Sequence, residues 1–167
     1  MRDRCIYTNG SYINERITAA AVAPNYLSTL TLGSGGDAQA YHAELTGIAN
    51  ALQTEADSTI SHLTDRSIVV YSDSQAALKA IKKADPMTSQ DLFRQIYSAA
   101  DSLVKGGASL RLQWIPGHKD VPGNEQADKA AKETATLIGP IEKPQIRFLS
   151  AVSSRINLLL EQLWKSR

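Results

Sequence analysis

Six residues, Ser67–Ser72 (SIVVYS), restrict the fold more than any others in this chain. They form a short, continuous apolar run bounded by polar residues, the pattern of a β-strand buried on both faces. Such a strand sits inside a sheet that is covered by helices, and the flanking sequence supplies them. On the N-terminal side, Asp37 is a plausible N-cap for AQAYHAELTGIANALQTEA, in which Tyr41, Leu45, Ile48 and Leu52 recur at helical spacing. On the C-terminal side, Ser74–Lys83 reads as a short helix that ends before Pro86. Thr88 and Asp91 open another as an acidic variant of the capping box, and Gly106-Gly107 stops it.

The first third of the chain has a different period. Arg4–Thr8, Thr18–Ala23 and Tyr26–Leu32 read as three strands with short links, ending at the breaker Gly33–Gly36. Leu110, Leu112 and Trp114 alternate in a fifth strand. After the loop IPGHKDVPG, Asn124–Thr136 is helical. The order βββαβααβα predicts an antiparallel meander joined by a right-handed crossover to parallel strands. The fold class is α/β, a mixed sheet with helices on its faces. Gly139-Pro140 opens a linker that leads to a last amphipathic helix over roughly 150–165, whose apolar face is Val152, Ile156, Leu159, Leu160 and Leu163.

At 167 residues and 43% hydrophobic content the chain is long enough for one cored domain with a short appendage. The net charge of +1 names no partner, but it is unevenly spread: residues 1–140 sum to −2 and residues 141–167 to +3. Nucleic acid bound to the larger part has to be held by local sites or metal ions, not by a broad basic surface. Cys5 is the single cysteine, which excludes an intrachain disulfide and fits a reducing compartment. With no secretory signal pattern and no long apolar run, the expectation is a soluble intracellular protein of cytoplasm or nucleus, without membrane contact. The first strand begins within a few residues of Met1, so the chain also reads as a domain cut from a longer polypeptide.

Chemistry enters through the acidic residues. Asp73 follows the buried strand directly, and ligand sites in such sheets gather at strand carboxyl ends. Asn9 is expected where the first strand turns, beside Asp73 if the two strands are parallel neighbours. Glu44 lies on the flank of the apolar stripe of the first helix, and Asp128 lies early in the helix after the Gly/His loop. Carboxylates brought together repel, and a divalent cation resolves the conflict. Oxygen-only ligands select hard ions such as Mg²⁺ or Mn²⁺, and two ions about 4 Å apart clamp an in-line phosphoryl displacement. Plainer roles exist for each residue. Asn9 suits a turn, Asp73 can cap the next helix, Asp128 can pair with Lys132, and Trp114 and Cys5 suit the core. His42 and His62 are expected to face solvent.

The motifs YTNGS (7–11), AELTGI (43–48), VVYSDSQAALKAI (69–81) and WIPGHKDVPGNEQADKAAKE (114–133) carry a family likeness. The chain resembles ribonuclease H domains, particularly the type 1-like domains of fungal non-LTR retrotransposon reverse transcriptase polyproteins, over about residues 4–136. The resemblance implies a ribonuclease H-like five-stranded mixed sheet of order 3-2-1-4-5 flanked by helices on both faces. The catalytic domain would span 1–138, with a linker at 139–149 and the C-terminal helix at 150–167. It implies hydrolysis of the RNA strand of RNA–DNA hybrids with two Mg²⁺, for which Mn²⁺ can substitute. Glu44, Asp73 and Asp128 are similar to three of the family's four metal-binding carboxylates, and Asn9 stands where the first is an Asp. His118 is similar to the family's mobile-loop histidine, which assists proton transfer or product release. Gly10, Ser11 and Gln75 match positions that contact the hybrid backbone. The family's basic helical protrusion has no counterpart in the short link around Pro86, so hybrid affinity is expected to draw on flanking polyprotein domains. An isolated domain is expected to be monomeric.

Asn9 implies impaired catalysis, and the substitution reads as engineered or recent. The alternatives are a catalytically silent hybrid-binding module and, against the His118 loop motif, an integrase- or transposase-type polynucleotidyl transferase.

Overall fold

The computed structural model describes residues 3–14, 16–34, 40–58, 66–83, 90–117 and 120–137. The elements follow in the order β1 (Asp3–Ile13), β2 (Arg16–Ala23), β3 (Tyr26–Ser34), α1 (Ala40–Ser58), β4 (Ser67–Ser72), α2 (Gln75–Lys83), α3 (Gln90–Lys105), β5 (Ser109–Trp114) and α4 (Pro122–Thr136). The strands form one mixed sheet of order β3-β2-β1-β4-β5, the expected topology. β1–β2 and β2–β3 are antiparallel, whereas β1–β4 and β4–β5 are parallel. Ile68, Val69 and Val70 are fully buried, which bears out the reading of SIVVYS as a strand covered on both faces.

Helices α1, α2 and α3 cover one face. Their Leu45, Ile48, Leu52, Ala77, Ile81, Leu92, Phe93 and Ile96 form the main core with Ile6, Ile68 and Val70. The other face carries α4, where Ala20 of β2 meets Ala130 and Ala131. Small residues let the helix lie close to the sheet. A Cβ on Gly123 would come within 2.3 Å of the Tyr7 ring, and the Thr18 hydroxyl donates to the Ala131 carbonyl at 2.7 Å.

Several expectations are corrected. β1 does not turn at Gly10-Ser11 but runs on to Ile13, paired through Ile13↔Arg16. The reversal lies at Asn14, which adopts φ 51°, a conformation that Asn tolerates. Gly10 is a strand residue because backbone passes close by: a Cβ there would lie 2.6 Å from the Glu44 nitrogen and 2.6 Å from the Ala43 Cβ. Trp114 is not a core residue, being 45% exposed at the end of the edge strand β5. His42 is buried, not solvent-facing, and burial lowers its pKa. Cys5 is only half-buried. His62, Asp37, Thr88, the 139–149 linker and the 150–167 helix lie outside the described residues. Among the described residues no helix is long and apolar enough to cross a membrane.

Candidate active site

The parallel ladder between β1 and β4 ends at Thr8↔Ser72. Asn9 and Asp73 are the next residue on each strand, so they stand side by side where β4 stops and β1 continues. Asn9 is 5% exposed and pairs across β2 with Ala20. The one-residue step decides the site. Beyond Ser72, β1 has no strand partner on that edge among the described residues, and its Gly10 N–H donates to Glu44 Oε1 at 2.9 Å.

Glu44 is thereby fixed against β1 by one oxygen. Its other oxygen, Oε2, is buried and has no hydrogen-bond partner among the described residues. Burial pushes the Glu44 carboxyl up to about 8. The Gly10 amide opposes this shift, and the charges of Asp73 and Asp128 add to it. Those two charges act on Glu44 because the end of β4 and the start of α4 converge on the same end of the sheet.

Asp73 is gripped from several directions. Asn124 Nδ2 donates to its Oδ2 at 3.3 Å, and the Trp114 indole N–H donates to its main-chain carbonyl at 3.0 Å. A Cβ on Gly117 would reach within 2.8 Å of Oδ2, so a larger residue there would push this carboxylate aside. Ser74, not Asp73, caps α2: its hydroxyl accepts from Ala77 N–H at 3.2 Å. Asp128 forms the pair anticipated with Lys132, at 2.6 Å, and its side chain is 21% exposed. Gln75 is exposed at the start of α2, its Oε1 accepting from Lys79 Nζ at 3.2 Å. Ser11 is buried in β1 two residues beyond Asn9. His118 lies outside the described residues, next to Gly117.

The structure therefore gathers Asn9, Gly10, Glu44, Asp73 and Asp128 at one end of the sheet. The RNase H family model matches residues 1–136. The chain belongs to the RNase H family. None of the curated proteins compared with it matches. RNase H enzymes are ribonucleases that act on RNA–DNA hybrids with divalent metal ions such as Mg²⁺.

The site's donor atoms fit such an ion in kind. Carboxylate and amide oxygens are hard ligands, and the orphaned Glu44 Oε2, which feels the charges of Asp73 and Asp128, is a buried acceptor that a cation would satisfy. As arranged, no three His, Cys, Asp or Glu side chains among the described residues form a ready metal-ligand group. Asp128 is drawn to Lys132, and Asn9 contributes a neutral amide.

Sequence reasoning missed Asn124, Gly117 and the Trp114 N–H as contacts of Asp73. The signal was available for Asn124, which precedes Asp128 by one helical turn and so shares its face of α4.

Proposed function

We propose that this chain is the ribonuclease H domain of a reverse-transcriptase polyprotein of non-LTR retrotransposon type. It would hydrolyse the RNA strand of an RNA–DNA hybrid to leave a 3′-hydroxyl and a 5′-phosphate, at a rate reduced by Asn9. The observation that carries the reading is the juxtaposition of Asn9 and Asp73 one step past Thr8↔Ser72, with Glu44 tied to the adjacent Gly10 amide.

Asn9, Glu44, Asp73 and Asp128 would hold two Mg²⁺. When bound, the ions supply activation of the attacking water and charge stabilisation at the leaving oxygen. The chain's own contribution is arrangement. The Gly10 amide fixes one oxygen of Glu44 and leaves the other for ligation. Asp73 is oriented by groups from β5, the following loop and α4. Gly10, Ser11 and Gln75 would approach the hybrid backbone, reading A-form shape and 2′-hydroxyls with little sequence preference. His118 would assist proton transfer or product release. Asn9 keeps the shape of a carboxylate but brings no charge, so its loss falls on transition-state stabilisation and not on hybrid binding.

The neutral Asn9 also favours a second reading, a hybrid-binding module without catalysis. Cleavage of an RNA–DNA hybrid by this chain and by its Asn9→Asp variant, in Mg²⁺ and in Mn²⁺, separates the two. The enzyme reading expects the variant to be faster by on the order of 10²-fold, with similar hybrid affinity. A variant that binds hybrid and cuts nothing would leave only the binding module.

A further inference from the structure

Asn124 is 3% exposed, and its two amide atoms have unequal fates. Nδ2 donates to Asp73 Oδ2 at 3.3 Å, whereas Oδ1 is buried with no hydrogen-bond partner among the described residues. The orientation is physically determined, because the flipped amide would set an oxygen against a carboxylate oxygen. A buried, half-satisfied amide is a poor stabiliser of a helix that otherwise meets the sheet through Ala127, Ala130, Ala131 and Gly123. An apolar residue of the same size would suit that packing better.

Asp73 is held at its main chain as well as at its carboxylate. The Trp114 indole N–H holds the Asp73 carbonyl at 3.0 Å from the edge of the sheet, although the ring itself is 45% exposed. The Ile115 amide donates to the Ser72 carbonyl at 3.1 Å and continues the β5 register to the residue beside Asp73. Gly117 closes against Oδ2. Asn124 of α4, Trp114 of β5 and Gly117 of the loop between them therefore converge on Asp73, and none of them is a candidate ligand.

We propose that Asn124, seconded by the Trp114 indole, is a positioning residue that orients the Asp73 carboxylate for a divalent cation. It engages Oδ2 and fixes the rotamer. The inference rests on Asp73 being a ligand, as proposed above. Partners of this kind, which orient a ligand without touching the metal, typically change metal affinity 10–100-fold when removed.

The test uses the full chain and Mn²⁺ alone as probe, by isothermal titration calorimetry, with thermal unfolding of the metal-free protein in parallel. Asn124→Leu removes the donor and the orphaned oxygen together while keeping the branched shape. The expected result is Mn²⁺ affinity lowered about tenfold or more, at a Tm equal to or above that of the parent. Trp114→Phe keeps an aromatic ring and removes the N–H, and is expected to weaken Mn²⁺ binding by a few-fold. RNA–DNA hybrid affinity measured in EDTA is expected to stay within about twofold for both. An Asn124→Leu protein with parental Mn²⁺ affinity overturns the inference, as does one whose Tm falls while the affinity holds, which marks a structural role only. If Asn124→Leu does not fold, Trp114→Phe decides: unaltered Mn²⁺ affinity then overturns the proposal. Absence of Mn²⁺ binding by the parent and by Asn9→Asp alike sinks the metal site itself and this inference with it. Loss in Asn124→Leu alone separates the two.

Discussion

The Gly10 main-chain N–H and Glu44 Oε1, 2.9 Å apart, join the strand that carries Asn9 to the helix that carries the buried carboxylate. The bond exists because Gly10 has no side chain. A Cβ would come within 2.6 Å of the Ala43 Cβ and 2.6 Å of the Glu44 nitrogen, and a backbone atom cannot move aside as a side-chain tip can. Gly10→Ala is expected to destabilise the fold by about 3 kcal/mol, the upper end of the overpacking range. It is also expected to weaken Mn²⁺ binding by displacing Glu44. Urea unfolding and calorimetry check the two effects. A Gly10→Ala protein of parental stability and Mn²⁺ affinity would show that the close approach of β1 to α1 is not needed.

Glu44 makes the metal-free protein pH-sensitive in a definite direction. Its carboxyl is raised to about 8 by burial first, then by Asp73 and Asp128, against an ordinary value of 4.5. Below about pH 4.5 both folded and unfolded states are protonated and Glu44 contributes nothing. Between roughly 4.5 and 8 the unfolded chain ionises and the folded one does not, so folding takes up a proton and stability falls as pH rises. The slope from this one group is at most about 1.4 kcal/mol per pH unit. Glu44→Gln removes it. The expected outcome is a variant more stable than the parent at pH 8 and little different at pH 4.5. Mn²⁺ should recover the parent's stability at pH 8 and leave Glu44→Gln unchanged. Denaturant midpoints across pH, with and without Mn²⁺, decide; a parental curve as flat as that of the variant counts against a desolvated Glu44.

Lys132 competes for Asp128. The pair at 2.6 Å is partly exposed, 48% on the Lys side and 21% on the Asp side, so it is screened and worth at most about 1 kcal/mol. That corresponds to about fivefold in affinity. Lys132→Gln is therefore expected to tighten Mn²⁺ binding by about two- to fivefold at low salt, with the difference shrinking as salt rises. Weaker binding in Lys132→Gln would mean that the lysine supports the site instead of competing with it.

The sequence disclosed the topology because period and burial agree in it. SIVVYS had to be central, the Leu45–Ile48–Leu52 stripe had to face it, and short links forced β1, β2 and β3 into a meander. Asn9-Gly10-Ser11 misled because Asn, Gly and Ser are turn formers in isolation, whereas here Gly10 is required by the approach of α1, a tertiary contact. Trp114 misled for a related reason. Alternation assigns a face but cannot say that β5 is an edge strand whose last residue projects past the helices. Glu44, Asp73 and Asp128 were legible as candidates because one flanks the apolar stripe of its helix, one follows a buried strand and one follows the Gly/His loop into a helix. Asn124 shares the face of Asp128 one helical turn earlier, but its contact depends on the reach of α4 across to Asp73, which spacing alone does not show.

The opposite end of the sheet provides a stability test independent of the site. Arg4 Nε lies 2.6 Å from Glu55 Oε2, and the Glu55 side chain is 1% exposed. Arg4 Nη2 also donates to Asn25 Oδ1 at 2.6 Å, and the guanidinium lies 5.9 Å from the centroid of the Tyr26 ring. Burial raises the Tyr26 hydroxyl pKa, and the Glu55 charge adds to it. The cluster thus ties β1, the start of β3 and the end of α1 together around one buried negative charge. Removing the cation strands that charge, and Arg4→Ala is expected to cost about 3–5 kcal/mol. Replacing the pair by apolar residues, Arg4→Met with Glu55→Leu, removes the desolvation cost along with the attraction, so the double variant should regain most of the loss. Neither change touches Asn9, Glu44, Asp73 or Asp128, so Mn²⁺ affinity should match the parent in every folded variant. Urea unfolding of Arg4→Met, Glu55→Leu and the double measures the coupling. A double variant no more stable than Arg4→Ala would show that the ion pair stabilises through more than charge compensation, and altered Mn²⁺ affinity would show that the two ends of the sheet are coupled.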